Sequence, residues 1–274
     1  MLLTHCAAGG QIYVPIDPDV DGYTSAALFF NYMCDVVSDD FAFSLNYHVP
    51  EGKEHGLATI MDWFPEDGNG SLIVMLDSSS NDYEQHKILK ERGYDIIVLD
   101  HHEAPHYSED AIVVNNQLSN NYPNKNLSGV GVVFKFFEYW EEQQQYKENK
   151  IYNYIDLVAL GLISDVMQMT TLENRFICDY GLSNIKNTFF RELIKKQCYS
   201  LFGIRDADFT DEYYTNGSMT QIKIAFYITP LINALIRVGN IDEKNNLFLS
   251  FITPDIEKPS TKRGEKGMME TVCT

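Results

Sequence analysis

Apolar residues in this chain fall into short blocks separated by stretches with helical spacing. Gln11–Asp17 (QIYVPID), Ser71–Asp77 (SLIVMLD) and Tyr94–Asp100 (YDIIVLD) are strand-length apolar runs that each end in aspartate. Runs of this length with little alternation predict strands buried on both faces. Phe41–Val49 alternates apolar and polar residues and predicts a further strand, and Ala111–Asn115 predicts a short one. Between them, Gly22–Val37 predicts a helix with Ala26, Ala27, Phe29, Phe30 and Met33 as apolar contacts. Asp82–Arg92 predicts an amphipathic helix stopped by Gly93, and Val130–Glu142 another helix. Strands alternating with helices make βαβ units, so the predicted fold class is α/β, a mostly parallel β-sheet flanked by helices and followed by a helical segment.

The polar run Glu141–Lys150 precedes a more helical second half, with helices predicted over Ile151–Ile163, Asn174–Ile185 and Phe189–Tyr199. Asp206–Ser218 is polar and reads as a loop. Ile222–Val238 is apolar, but Pro230 interrupts it and argues against one straight helix. Glu257–Thr274 has the lysine, glycine and proline content of a frayed, flexible tail.

With 274 residues, 45% of them hydrophobic, the chain can bury one large core or two modest ones. No uninterrupted apolar run is long enough to span a bilayer, so no membrane association is expected. The N-terminus lacks the basic region of a signal peptide. Five cysteines, Cys6, Cys34, Cys178, Cys198 and Cys273, show no CxxC spacing, which predicts free thiols and a cytoplasmic location. The net charge of −18 repels polyanions and disfavours non-specific duplex binding. Lys186, Arg191, Lys195 and Lys196 form a basic cluster that reads as a solvated helix face or as a local anion patch.

Candidate chemistry sits where the apolar runs stop. In a parallel sheet, ligand sites form at the carboxyl ends of the strands. Asp17, Asp19, Asp77, and Asp100 with His101 and His102 are therefore expected at one edge. Any one aspartate there could simply cap a turn or helix; together they point to a site. Residues i and i+2 of an extended segment face one side, so Asp17 and Asp19 can serve one site, and Asp21 can join if the segment stays extended. The D-x-D-x-D-G spacing of Asp17–Gly22 also resembles a calcium loop, but Leu28 stands at the position of that loop's final glutamate. Asp165, at the end of an apolar helix, is a further candidate ligand. Several carboxylates with one or two imidazoles suit Mn²⁺ or Mg²⁺, with zinc also compatible, and bridging carboxylates can hold two ions roughly 3.5–4 Å apart. Neither a P-loop nor GxGxxG is present.

IDPDVDGYTSAAL (16–28), VMLDSSS (74–80), VLDHHEA (98–104) and ALGLISDV (159–166) occur in this order. With these motifs the chain resembles the DHH phosphoesterase family, named for Asp100-His101-His102. SGVGVVFK (128–135), LENRFICDYGL (172–182) and ITPLINALIR (228–237) are similar to segments of the family's RecJ branch of single-strand exonucleases. The similarity covers roughly residues 10–240 and implies a DHH catalytic domain at 1–187, a helical extension at 188–256 and a tail at 257–274. It implies two Mn²⁺ ions, with Mg²⁺ as an alternative: Asp17 on the first, Asp19 on the second, Asp77 bridging, and His101 and Asp165 completing the second. By the same resemblance His102 contacts the scissile phosphate or its water, Asp100 orients a histidine, and Asp21 supports the ligands or caps a helix. Asn233 and Arg237 match the branch's N-A-x-G-R segment and would hold a strand phosphate, although Ile236 replaces its glycine and Arg237 could instead form a salt bridge.

The implied function is a metal-dependent phosphodiesterase, a 5′→3′ exonuclease on single-stranded DNA. Hydrolysis of short oligonucleotides or a dinucleotide is the alternative, and a non-catalytic scaffold for a replication or repair partner is a third reading. Tyr13 stands where the pyrophosphatase branch has a histidine. The family's glycine-rich, substrate-gripping second domain is not found in these residues.

Overall fold

The computed structural model describes residues 1–39, 43–53, 55–255, 257–259 and 269–271. A short helix, α1 (Leu2–Ala7), leads into β1 (Gln11–Pro15), α2 (Val20–Asp35) and β2 (Ser44–His48). Then follow β3 (Leu72–Leu76), α3 (Tyr83–Glu91), β4 (Asp95–Asp100) and β5 (Ile112–Asn115). Of the strand predicted over 41–49, Phe41 and Ala42 lie outside the described residues. The five strands form one sheet in the order β2-β1-β3-β4-β5, every pairing parallel.

That order puts a topological switch between β1 and β3, because the chain leaves β1 outward to β2 and then returns past it to β3. At such a point the loops above two adjacent strands diverge and open a crevice at their carboxyl ends. Period-2 alternation divides the core. Ile12, Val14, Leu72, Val74, Leu76, Ile97 and Leu99 pack in the larger apolar cluster with α2, α4 (Gly129–Gln144) and α5 (Ile155–Ser164). Ile73, Met75, Ile96 and Val98 face the other way, onto Leu57, Phe64, Leu89 and Tyr94. Tyr13 points to that second side, edge-on to Trp63, Phe64 and Tyr94.

The second half is helical: α6 (Leu172–Leu182), α7 (Thr188–Lys196), α8 (Cys198–Phe202), α9 (Gln221–Lys223), α10 (Thr229–Val238) and α11 (Ile241–Ile252). Most of its buried apolar residues, as far as Phe251, belong to the same cluster as β1 and α2. The segment in which Pro230 argues against one straight helix is helical from Gln221 to Val238 but is not one uniform α-helix. A π-helical stretch, Ile224–Ile228, precedes α10, and Pro230 falls in the first turn of α10, where its missing N–H and fixed φ are tolerated. By length and composition alone this run could cross a bilayer; only 28% of it is buried. Ile224, Ile228, Ile232 and Ile236 are buried, whereas Ile222, Phe226 and Val238 are exposed.

Within the segment predicted as a frayed tail, Glu257–Pro259 pairs antiparallel with Met269–Thr271. Composition registers the polarity of such a tail but not a pairing between two of its pieces. Residues 260–268 and 272–274, including Cys273, lie outside the described residues. Cys6, Cys34, Cys178 and Cys198 are free thiols. The basic cluster is largely paired: Arg191 with Asp211 at 3.0 Å, Lys195 with Asp206 at 4.0 Å, and Lys186 with the Asn153 side-chain amide oxygen at 2.7 Å.

Candidate metal centre

Each strand end delivers its acid differently. After β1, the chain turns at Asp17 and enters α2, which Asp19 caps by accepting a hydrogen bond from Gly22 N at 2.9 Å. Asp77 follows β3 with a left-handed backbone, φ 61°, and Ser79 repeats this with φ 83°. Such torsions are uncommon outside glycine and redirect the side chain at the strand exit. Asp100 ends β4 within the strand, and Asp165 terminates α5. Val166, directly after it, has φ 55°, a strained torsion for a β-branched residue.

These residues converge. Ligand atoms of Asp17, Asp19 and Asp77 lie within 4.8 Å of one another, as do those of Asp77, His101 and His102, and those of Asp21, His101 and Asp165. His101 Nε2 is 3.2 Å from Asp77 Oδ1 and 3.4 Å from Asp165 Oδ2. Asp17 Oδ1, Asp77 Oδ1 and Asp165 Oδ2 are all buried without a hydrogen-bond partner. Buried polar atoms almost always have one.

Electrostatics sharpen the same point. Burial, then the charges of Asp21, Asp19, Asp17 and Asp100, push the Asp77 carboxyl well above the usual range. Asp165 is raised to about 6 by burial and by Asp21. Asp17 is also raised to about 6, by burial and Asp19, against the opposing hydrogen bond of His55. Burial and the charge of His102 lower the pKa of His101, favouring the neutral imidazole that ligates metals. His101 Nε2 faces two carboxyl groups that burial and neighbouring charges make costly to ionise. A divalent cation among them supplies the missing positive charge, so the residues present fit one.

The two histidine rings lie side by side, with centroids 4.5 Å apart, but differ in exposure. His101 is buried, whereas the His102 side chain is 52% exposed. Asp100 fixes His102: its Oδ1 lies 2.7 Å from Nδ1 and accepts from the His102 N–H at 3.2 Å and the His101 N–H at 2.7 Å. Burial alone would raise the Asp100 carboxyl, but the His102 contact and the Ser80 N–H outweigh it and hold the group below its ordinary value. In return the Asp100 bond raises His102 to about 9, against its own burial. Asn115, at the end of β5, donates to His102 O and to Ser80 Oγ, both at 2.8 Å, tying this corner to the edge strand.

Asp21 turns away from the strand exit to cap a different helix. It accepts from Ser128 Oγ at 3.0 Å, Gly129 N at 2.6 Å and Val130 N at 3.2 Å, at the start of α4. A Cβ at Gly129 would collide with the Asp77 side chain. One glycine thus lets a helix N-terminus, with its partial positive charge, approach the carboxylates. Asn233 and Arg237 lie one turn apart on α10, outside these ligand groups. Asn233 Oδ1 is buried without a partner, and Arg237 is exposed.

Sequence reasoning missed His55. Its Nδ1 lies 2.6 Å from Asp17 Oδ2. Only its loop, leaving the carboxyl end of β2, could have signalled it, since that end lies on the same edge as the other ligands.

Comparison with known proteins agrees with this architecture. The chain is 37% identical over 96% of its length to an SPbeta prophage-derived protein of Bacillus subtilis, YorK, named as a single-strand DNA-specific exonuclease. It spans only 42% of that relative. A crystal structure of exonuclease RecJ bound to manganese superposes with a TM-score of 0.73 at 23% identity, covering 92% of this chain and 59% of the other. RecJ of Thermus thermophilus in complex with Mn²⁺ gives 0.71 at 25% identity, over 93% of this chain and 34% of the other. The profile of the DHH family, N-terminal domain, matches residues 11–162, and the chain that carries these strand-end carboxylates and paired histidines belongs to that family.

Proposed function

We propose that this chain is a divalent-metal-dependent phosphodiesterase acting on single-stranded DNA as a 5′→3′ exonuclease. The observation that carries the reading is the set of buried carboxylate oxygens without partners, Asp77 Oδ1 and Asp165 Oδ2 beside the neutral His101, and Asp17 Oδ1 on a residue grouped with Asp77. Asp17, Asp19, Asp77, His101 and Asp165 would hold the metal, with two Mn²⁺ ions as the proposed occupants and Mg²⁺ the alternative. The bound metal would supply an activated water and charge neutralisation at the phosphoryl oxygens.

The chain's own residues provide the rest. Asp100 holds the His102 ring by Nδ1, which leaves Nε2 on the exposed side, free to donate to a phosphate oxygen. Asp21 keeps the start of α4 against the site and so fixes Asp77 from behind. Asn233 and Arg237 would hold a strand phosphate further along. Residues 1–187 would form the catalytic unit and 188–256 a helical extension. The relatives named as single-strand DNA-specific exonucleases support the substrate class.

The test is hydrolysis of 5′-phosphorylated single-stranded oligonucleotides with Mn²⁺, by the wild type and by Asp77→Ala. Metal-dependent release of nucleotides from the 5′ end, lost in the variant, is expected. Absence of cleavage by the wild type, or equal cleavage by both, would overturn the reading. The net charge of −18 favours a second reading, in which the substrate is a short oligonucleotide or dinucleotide with few phosphates to repel. Faster turnover of dimers than of long strands would select it.

A further inference from the structure

We infer that His55 is a positioning residue of the metal centre, which aims the free oxygen of Asp17 at the cation; this rests on the metal-dependent reading above. Asp17 has two carboxylate oxygens in different situations. Oδ2 lies 2.6 Å from His55 Nδ1, while Oδ1 is buried with no partner. A carboxylate only accepts, so His55 donates from Nδ1. Tying one oxygen to an imidazole N–H fixes the carboxylate plane and leaves the other, buried and without a partner, for a cation shared with Asp19 and Asp77, the residues of its ligand group.

The loop that brings His55 here is built at both ends. Lys244 of α11 is 3% exposed, and its ammonium donates to Glu51 O at 2.6 Å. A buried lysine directed at a loop carbonyl is costly unless it holds something in place. At the other end, Asp82 Oδ2 accepts from Leu57 N at 2.8 Å and from Ser79 Oγ. Gly56 between them has φ 80°, and a Cβ there would come within 2.6 Å of Asp82 Oδ2. The backbone can therefore take this path past Asp82 only with glycine at 56. Ser79 belongs to the strained turn after Asp77, so the same Asp82 fixes the His55 loop and the exit of β3. The helical second half, through Lys244, thus has a hand in the geometry of a ligand just after β1. The His55 side chain remains 55% exposed, so the ring closes one side of the carboxylate group and faces solvent with its other nitrogen.

Mn²⁺ affinity of the purified chain, measured by isothermal titration calorimetry without substrate, tests this. Outer partners of metal ligands typically contribute 10–100-fold in affinity. His55→Ala should weaken Mn²⁺ binding by about that factor. His55→Asn, whose amide nitrogen can occupy the place of Nδ1, should recover most of the loss. Metal-free thermal midpoints of the three proteins should agree, which removes a general folding defect as the cause. Affinity of His55→Ala within about twofold of wild type would overturn the inference, and so would a loss that Asn does not restore, since the ring would then act otherwise than through Nδ1. Asp77→Ala separates this from the parent reading. If wild type and Asp77→Ala bind Mn²⁺ alike, the metal centre itself fails; if they differ while His55→Ala matches wild type, only the role of His55 fails.

Discussion

Two regions of this protein bury aspartate, and they do so in opposite ways. Asp156, at the start of α5, is 1% exposed and surrounded by donors: it accepts from Leu157 N at 3.0 Å and from Lys186 N and Asn187 N at 2.7 Å each. It joins the first turn of α5 to the start of α7. Asp77, also 1% exposed, has an oxygen with no partner and faces other carboxylates. Burial raises both carboxyls, but at Asp156 backbone donors oppose the shift, whereas at Asp77 neighbouring charges add to it. Burial alone therefore does not mark a functional acid. What marks it is burial without donors, where the missing positive charge has to come from elsewhere.

The largest effects should come from exchanging these two situations. Asp77→Asn should lower metal-dependent hydrolysis on the order of a thousandfold, several kcal/mol of transition-state stabilisation. It should leave the metal-free thermal midpoint at pH 8 no lower than wild type, because it removes a repulsive charge. Asp156→Ala should do the reverse: Mn²⁺ affinity unchanged within about twofold, and stability to urea reduced by about 2–3 kcal/mol, because the N–H groups of Lys186 and Asn187 lose their acceptor. If Asp77→Asn destabilises the metal-free protein as much as Asp156→Ala, the contrast collapses and Asp77 is a structural acid.

Gly129→Ala probes the same contrast without touching a charge. The new methyl would meet the Asp77 side chain, so α4 or Asp77 must shift. We expect Mn²⁺ affinity to fall by at least tenfold, as for loss of an outer partner of a ligand, with a smaller loss of stability. An unchanged affinity by calorimetry would show that Asp77 has room the structure does not give it.

How far the sequence could be read follows from these residues. Strands ending in Asp17, Asp77 and Asp100 were legible because a buried strand is a local pattern and its carboxyl end has a fixed place in a parallel sheet. The alternation of an extended chain did not foretell the pair His101 and His102: the strand ends at Asp100, and the two rings lie 4.5 Å apart, one buried and one exposed. Asp21 was legible only as a supporting or capping residue; that it caps α4, 108 positions away, depends on tertiary contact. His55 was invisible for the same reason, being one polar residue in a polar loop. Pro230 was legible as a sign against one straight helix; that the irregularity is a π-helical stretch, Ile224–Ile228, just before it was not.

Titration gives a smaller, signed effect. Asp17 and Asp165 are raised to about 6, and Asp21, by burial and then Asp19, to about 7, from an ordinary value of 3.8. Between those values the folded protein binds more protons than the unfolded chain, so stability falls as pH rises. The metal-free thermal midpoint should therefore decline from pH 4 toward pH 7 through these groups. Saturating Mn²⁺ at pH 7.5 should raise it, since the metal binds only the folded state. A metal-free midpoint rising over that interval in wild type, and equally in Asp77→Asn, would show that other groups govern the acid response.

The smallest expected effect asks whether the helical half is only a support. Asn240 and Glu243 form a capping box at the start of α11, with Glu243 N donating to Asn240 Oδ1 at 3.0 Å and Asn240 N to Glu243 Oε2 at 2.8 Å. Asn240→Ala should cost about 1 kcal/mol, as N-cap losses do. Lys244 lies in that first turn and holds the His55 loop through Glu51 O. If α11 merely packs, the midpoint falls equally with and without Mn²⁺. If the loop transmits the order of the helix to Asp17, the fall is larger with Mn²⁺, because the bound state then loses ligand geometry as well as a cap. The second outcome is expected, since Lys244 is buried and its ammonium is committed to the loop carbonyl of Glu51.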